Sequence, residues 1–250
     1  MTKNLPTKLI KEPLIDAVFE MRFSASGPAS NILPGFIYSQ LNGQKNIEAL
    51  PISEIPKHIR DNDPDLQFSP IVQIHWKCYL ILISDKSVAL ACKQPYPGWR
   101  DFKKSIQEVV ELVSKVGIIQ TVHRFALKYI DIIPSDSVKE QVSFINLTAK
   151  LGKHTLEKEP FLFRIEIPRD NVINAIQVLS SASVTLADGT RKTGLIIDID
   201  TICNIHDQQK ITDFSNLLSE NLDQMHRINK ETFFECITLE TLDSLEPQYD

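Results

Sequence analysis

Glycine is scarce in this chain: eight residues in 250, none grouped with another. That excludes a phosphate-cradling loop and a dinucleotide fingerprint, which need clustered glycines to bring backbone close to phosphate. The four cysteines, Cys78, Cys92, Cys203 and Cys236, lie far apart with no Cys-x-x-Cys pair. Zinc and redox-dithiol spacings are therefore excluded, and buried free thiols are expected. The six histidines, His58, His75, His123, His154, His206 and His226, form no His-x-x-x-His or His-Glu-x-x-His pattern. No Gly-x-Ser-x-Gly elbow is present either, so the commonest hydrolase constellation is missing. No run of about 18 apolar residues occurs, and the start of the sequence, Met1-Thr2-Lys3-Asn4-Leu5-Pro6, lacks the apolar core of a secretory signal. We expect a cytoplasmic protein that does not span a membrane. With 27 basic against 32 acidic residues the net charge is −5, which repels polyanions and argues against nucleic acid as partner.

What is present is strand patterning. Behind Pro13, apolar and charged residues alternate with period two: Ile15, Ala17, Phe19, Met21 and Phe23 share one face, and Asp16, Glu20 and Arg22 the other. Residues 68–79 alternate again, with Val72, Ile74, Trp76 and Cys78 opposite Gln73, His75 and Lys77. A hairpin joins residues 80–83 to 88–92 around Ser84-Asp85-Lys86-Ser87. Residues 120–132 return to period two, placing Thr121, His123, Phe125, Leu127 and Tyr129 on one face and Arg124, Lys128 and Ile130 on the other. Helices are expected at 34–41, where Pro34 suits a first turn, and through Phe102, Ile106, Val109, Val110, Val113 and Val116 up to Gly117. Residues 42–66 read as loop with a helical turn near His58.

The polar stretch 134–160 reads as a connection, followed by strands at 161–167, 176–186 and 193–202. Asp188-Gly189 marks the hairpin between the last two. A long helix then begins near Thr212, a capping hydroxyl, and carries Phe214, Leu217, Leu218, Leu222, Met225, Ile228 and Phe233 at spacings of three and four. The expected fold is α+β: two similar packed halves, 1–135 and 136–250, each a curved, mostly antiparallel sheet covered by helices.

Four groups of residues carry candidate chemistry. Asp198 and Asp200, two apart on a strand, share a face, as carboxylates on a divalent cation must, with Asp188, His206 and Asp207 the nearest further ligands. A solvated strand face explains the same spacing, and we expect no metal and no cofactor. Glu20 and Arg22 on one strand and Arg124 and Lys128 on another form either a cross-strand charge ladder or a polar surface that reads a ligand or partner. His226, mid-helix with Asp223 three residues before it and Glu231 beyond, is either a base tuned by a carboxylate or a structural hydrogen-bonding group. Tyr96, Trp99, Arg100, Lys103 and Lys104 place aromatics beside cations at a helix start, suited to stacking on nucleic acid or to packing the helix on a sheet; packing is the expectation.

The opening strand, Tyr96-Pro97-Gly98-Trp99, Arg124-Phe125-Ala126-Leu127-Lys128-Tyr129-Ile130-Asp131, Leu195-Ile196-Ile197-Asp198-Ile199-Asp200 and the closing stretch 222–238 resemble, in that order, segments of the TIGR04255 family of prokaryotic proteins. The resemblance spans nearly the whole chain. It implies an accessory role in loci such as defence or toxin and antitoxin systems, with a partner encoded nearby, and it implies no particular reaction. Where that family commonly has Leu-Arg-Tyr before an asparagine, this chain has Leu127-Lys128-Tyr129 and Asp131, so no guanidinium stands there.

The leading expectation is a non-catalytic protein that binds another protein, with Glu20, Arg22, Arg124, Lys128 and His226 as candidate contact residues and a homodimer compatible with it. The alternative is an enzyme or sensor that holds a phosphorylated small molecule or nucleotide in a cleft between the halves through the same residues.

Overall fold

The computed structural model describes residues 5–92, 94–186 and 188–249, with the side chains of residues 206–208 excepted. In chain order its elements are β1 (Lys8–Leu9), β2 (Leu14–Ala25), α1 (Ala29–Gln40), β3 (Lys45–Ala49), α2 (Lys57–Asn62), β4 (Val72–Trp76), β5 (Tyr79–Ile83) and β6 (Ser87–Cys92). There follow α3 (Trp99–Lys115), β7 (Ile119–Pro134), α4 (Val138–Ser143), β8 (Lys150–Leu151), β9 (His154–Thr155), β10 (Leu162–Arg169) and β11 (Val172–Thr185). The chain closes with β12 (Arg191–Lys210), α5 (Ile211–Cys236), α6 (Leu239–Ser244) and β13 (Pro247–Gln248). The class is α+β, and the large sheet has the hydrogen-bonded order β10-β11-β12-β7-β2-β6-β5-β4-β3.

By proximity of its Cα atoms the chain forms two compact units. One comprises the residues up to Ile15, Lys128–Thr201 and those from Met225 on; the other comprises Asp16–Leu127 and Ile202–Gln224. Strands β2, β7 and β12 and helix α5 each contribute to both.

In the second unit the alternation of β2 holds: Ala17, Phe19, Met21 and Phe23 are buried, while Glu20 and Arg22 are half-buried opposite them. Leu33 and Ile37 of α1, Phe102, Ile106, Val109 and Val113 of α3, and Trp76, Ile81 and Leu90 of the strands are buried in the same unit. Phe214 of α5 lies edge-on to Phe125 with ring centroids 5.1 Å apart. Four local expectations are corrected here. Pro34 stands sixth in α1, because the helix already starts at Ala29. The strand expected over 68–79 ends at Trp76, where Lys77 takes a left-handed φ of 53° and turns the chain into β5. Within 42–66, Lys45–Ala49 pairs with β4 as an almost wholly exposed edge strand. In β7 the two buried residues Val122 and Phe125 are three apart, so strict alternation breaks and His123 leaves the Phe125 face.

In the first unit, Ile133, Ile176, Val178, Leu195, Ile197 and Ile199 form the sheet's share of the core; Phe233 comes from α5, and Ile237 and Leu245 directly follow α5 and α6. Residues 134–160 are more structured than a plain connection. They hold α4 and the β8–β9 hairpin; Ile145 enters the core, and the buried Gln141 amide donates to the Ser135 carbonyl at 2.7 Å and accepts the Ser181 N–H at 2.8 Å. Helix α5 starts at Ile211, which puts Thr212 inside its first turn, and Leu217 is 49% exposed although it was expected on the apolar face.

A buried polar network pins α5 to this unit's strands. The Thr201 hydroxyl donates to Asn174 Oδ1 (2.8 Å) and accepts from Asn229 Nδ2 (3.0 Å); Asn174 Nδ2 donates to Thr232 Oγ1 (2.7 Å), which donates to the Ile228 carbonyl (2.8 Å). All four side chains are buried, so each lost partner exposes its neighbour to an uncompensated desolvation of about 1–3 kcal/mol. Thr201→Val, which keeps shape and removes the hydroxyl, is expected to cost about 2 kcal/mol in urea unfolding. Thr201→Ser, which keeps it, is expected to cost about 1 kcal/mol or less. Equal losses for the two variants would mean that the hydroxyl contributes no more than the methyl group at this position.

Candidate functional site

The structure brings three of the five candidate residues together. Glu20 and Arg22, two apart on β2, point the same way, and Arg124 reaches Glu20 from β7. Its Nη1 lies 2.9 Å from Glu20 Oε1, and the Arg22 Nε donates to the same oxygen. The Arg22 guanidinium also lies over the Phe68 ring, 3.9 Å from its centroid. Next along the strands, the Ser24 hydroxyl and His123 Nε2 are 2.6 Å apart. One carboxylate thus serves two guanidiniums, a charge ladder closed on itself.

Lys128 and His226 fall in the other unit, each with its own partner. Lys128 Nζ is 2.8 Å from Asp198 Oδ2, and His226 Nδ1 is 3.1 Å from the Tyr129 hydroxyl, ring centroids 5.7 Å apart. The carboxylates flanking His226 in sequence have other occupations. Asp223 accepts from Trp99 Nε1 (3.1 Å) and Lys103 Nζ (2.6 Å), and Glu231 pairs with Arg169 (2.6 Å) and Arg227 (3.2 Å). Trp99 and Lys103 therefore tie the start of α3 to Asp223 of α5, so Lys103 is paired and not simply solvated, and Tyr96 lies edge-on to Phe102 at 6.0 Å.

Asp198 is held by an ammonium, and Asp188 accepts the Thr190 N–H at 2.8 Å in the turn before β12. The side chains of His206 and Asp207 lie outside the described residues. Among the described residues no three His, Cys, Asp or Glu side chains are arranged to hold a metal ion.

Two features escaped the sequence reading. Asp131, buried on β7, has its pKa pushed up to about 8, first by loss of solvation and then by the nearby charges of Glu12 and Asp198. Its signal is a single acid inside the apolar run Ile130 to Ile133. Asp85, in the β5–β6 turn, collects the Ser30 hydroxyl (2.7 Å), Lys57 (2.9 Å) and Arg60 (3.5 Å), tying α1 and α2 to the sheet. Burial alone would raise its pKa; the Ser30 hydroxyl and the Lys57 ammonium outweigh that and hold it below the ordinary value. No spacing in the sequence announces this cluster, since its members come from three separate elements.

The open feature of the first unit is strand β10, the end of the large sheet. It pairs with β11 on one side, Phe163 opposite Val178 and Ile165 opposite Ile176, through a two-residue turn in which Asp170 has a φ of 53°. The Ser180 N–H donates to the Phe161 carbonyl at 3.1 Å, which fixes the parity of the ladder. Odd-numbered residues direct their backbone at β11, and Leu162, Arg164, Glu166 and Pro168 direct theirs outward. Pro168, which has no N–H, sits where none is needed for the ladder. Leu162 is 61% exposed, Ile165 41% and Ile167 43%. In α5 no window is long and apolar enough to cross a membrane, and the same holds for every other described helix. No family model matches the chain, and no curated protein shows significant similarity to it.

Proposed function

We propose that this chain is a non-catalytic binding protein whose working surface is the outer edge of β10, taking up an extended protein segment by strand addition. The observation that carries this reading is the coincidence, on one edge strand, of outward backbone groups at Leu162, Arg164 and Glu166 with exposed apolar side chains at Ile165 and Ile167. Strand-adding partners use the main chain of such an edge for affinity and its side chains for register, and the charges and proline of β10 restrict which strand it accepts. The charged residues support the same reading against phosphate binding. Arg22 and Arg124 share Glu20, and Lys128 faces Asp198, so a phosphate would meet a competing carboxylate at each of these cations.

The test is hydrogen exchange on β10 together with a proline variant. Glu166→Pro removes an outward N–H and leaves the β10–β11 ladder intact, so the protein is expected to melt like the wild type. Amides of Leu162, Arg164 and Glu166 should exchange rapidly in the wild-type chain at concentrations where it is monomeric and become protected when a partner strand is bound. Glu166→Pro should lose that binding at least tenfold. A partner that binds Glu166→Pro as tightly as wild type, or binds without protecting β10, removes the proposal.

A further inference from the structure

We infer that the occupant of β10 is a second copy of this chain, the two β10 strands pairing antiparallel about Ile165; this rests on the strand-addition reading of that edge. A strand that pairs with itself about a two-fold axis must bring outward-facing residues opposite outward-facing residues. Every register centred on a residue satisfies that condition, and among the three most central ones side-chain chemistry decides. Centring on Arg164 sets guanidinium against guanidinium, and centring on Glu166 sets carboxylate against carboxylate. Centring on Ile165 places Arg164 of each copy opposite Glu166 of the other, on both sides of the axis.

The same register sorts the other face. Phe163 meets Ile167 of the second copy twice, and Ile165 meets its own equivalent, so the side chains left 41% and 43% exposed at Ile165 and Ile167 acquire apolar cross-strand partners. Arg164 and Glu166 exchange both main-chain hydrogen bonds across the axis. At each end the Leu162 N–H finds the Pro168 carbonyl, and the return bond to the Leu162 carbonyl is absent because Pro168 has no N–H, so main-chain pairing ends there. Within one chain the Arg164 guanidinium already lies 2.9 Å from Glu166 Oε1, with side chains 54% and 57% exposed. The opposite charges are thus aligned on one face, ready to extend into a four-membered ladder. Charges and a proline on an edge strand repel an arbitrary strand; this sequence is complementary to itself in one register alone.

The experiment is a charge-reversal cycle read by sedimentation equilibrium and native mass spectrometry at up to roughly 100 µM, the range suited to an interface of modest area. Wild type is expected to dimerise. Arg164→Glu and Glu166→Arg each replace two attractive pairs with two repulsive ones and should each weaken the dimer about tenfold or more, with melting temperature close to wild type at dilutions where all are monomeric, because both positions are exposed. The double variant R164E/E166R should recover to within about threefold of wild type. The two single variants, mixed, should form a heterodimer, since each then offers the charge the other lacks. A wild-type dimer indifferent to either reversal, or single variants that fail to pair when mixed, overturns the proposal. A monomeric wild type whose β10 amides still become protected by another protein overturns self-pairing and leaves strand addition standing; a monomer with β10 unprotected under all conditions overturns both.

Discussion

Alanine at position 194 is expected to prevent folding of the first unit or to lower its stability by at least about 3 kcal/mol, a change in the class produced by overpacking against rigid neighbours. A Cβ built on Gly194 would lie 2.2 Å from the Ile133 carbonyl oxygen, 2.9 Å from the Ile133 carbonyl carbon and 2.9 Å from Pro134 Cα. All three are backbone atoms, so no side chain can rotate away to make room. The backbone at Gly194 is not in the left-handed region, so the requirement is for space and not for conformational freedom. The strands would have to part at this point, and the Ser135 N–H to Thr193 carbonyl bond, 3.1 Å long, would be among the first lost. For a chain of this size, 3 kcal/mol corresponds to a fall in melting temperature of about 6–12 °C.

Gly35 supplies the contrast of opposite sign. It lies within α1, and nothing comes within 4 Å of where its Cβ would be. Gly35→Ala should therefore stabilise by about 0.5–1 kcal/mol through helix propensity and a less disordered unfolded chain. Melting curves of the two variants side by side check both statements. A Gly194→Ala protein that melts within 2 °C of wild type would show that the strands separate more easily at this point than their backbone geometry implies.

The parts of this fold legible in the sequence are those whose burial repeats with a short period. β2 is the best case, since one face is core and the other carries Glu20 and Arg22, so alternation reports depth directly. The stripe of α5 is legible for the same reason, with Leu217 the exception. β3 is illegible because it lies at the edge of the sheet with nearly every residue exposed, and an exposed strand has no pattern to show. In β7 a single break between Val122 and Phe125 shifts every face assignment near it, which is why His123 meets Ser24 and not the core. β10 alternates as a strand should, yet alternation does not say that its apolar face is left exposed; that depends on its place at the end of the strand order.

The charged residues divide on the same principle. Glu20 and Arg22 share a face by spacing alone, and that much could be read. That Arg124 lands opposite Glu20, and that Lys128 meets Asp198, depends on inter-strand register, which a one-residue shift would change entirely. Asp198 and Asp200 show the same limit: their shared face is legible from spacing, and the ammonium that the neighbouring strand brings to Asp198 is not.

Asp131→Asn is expected to flatten the dependence of stability on pH between about 4 and 8. The Asp131 carboxyl, ordinarily near 3.8, is pushed up to about 8 in the folded chain, chiefly because burial disfavours its charge and secondarily because Glu12 and Asp198 repel it. Below pH 4 the carboxyl is protonated in both folded and unfolded chains, and the shift has no effect on stability. From pH 4 to 8 the unfolded chain releases this proton and the folded chain keeps it, so the unfolded state gains roughly 1.4 kcal/mol for each pH unit. Above pH 8 both forms are ionised and the penalty levels off, on the order of 5 kcal/mol in all. An asparagine has the same shape and nothing to ionise. Whatever fixed cost its amide incurs is the same at every pH, so the informative quantity is the difference between variant and wild type as pH changes. That difference should move in favour of Asp131→Asn by several kcal/mol between pH 4.5 and pH 8, with no further change above about pH 9. Carboxylates held below their ordinary value, such as Asp85, titrate on the acid side of this window and cancel between the two proteins. Urea unfolding at half-unit pH intervals measures it, and parallel stability curves for the two proteins would show that Asp131 ionises as an ordinary, solvated carboxylate.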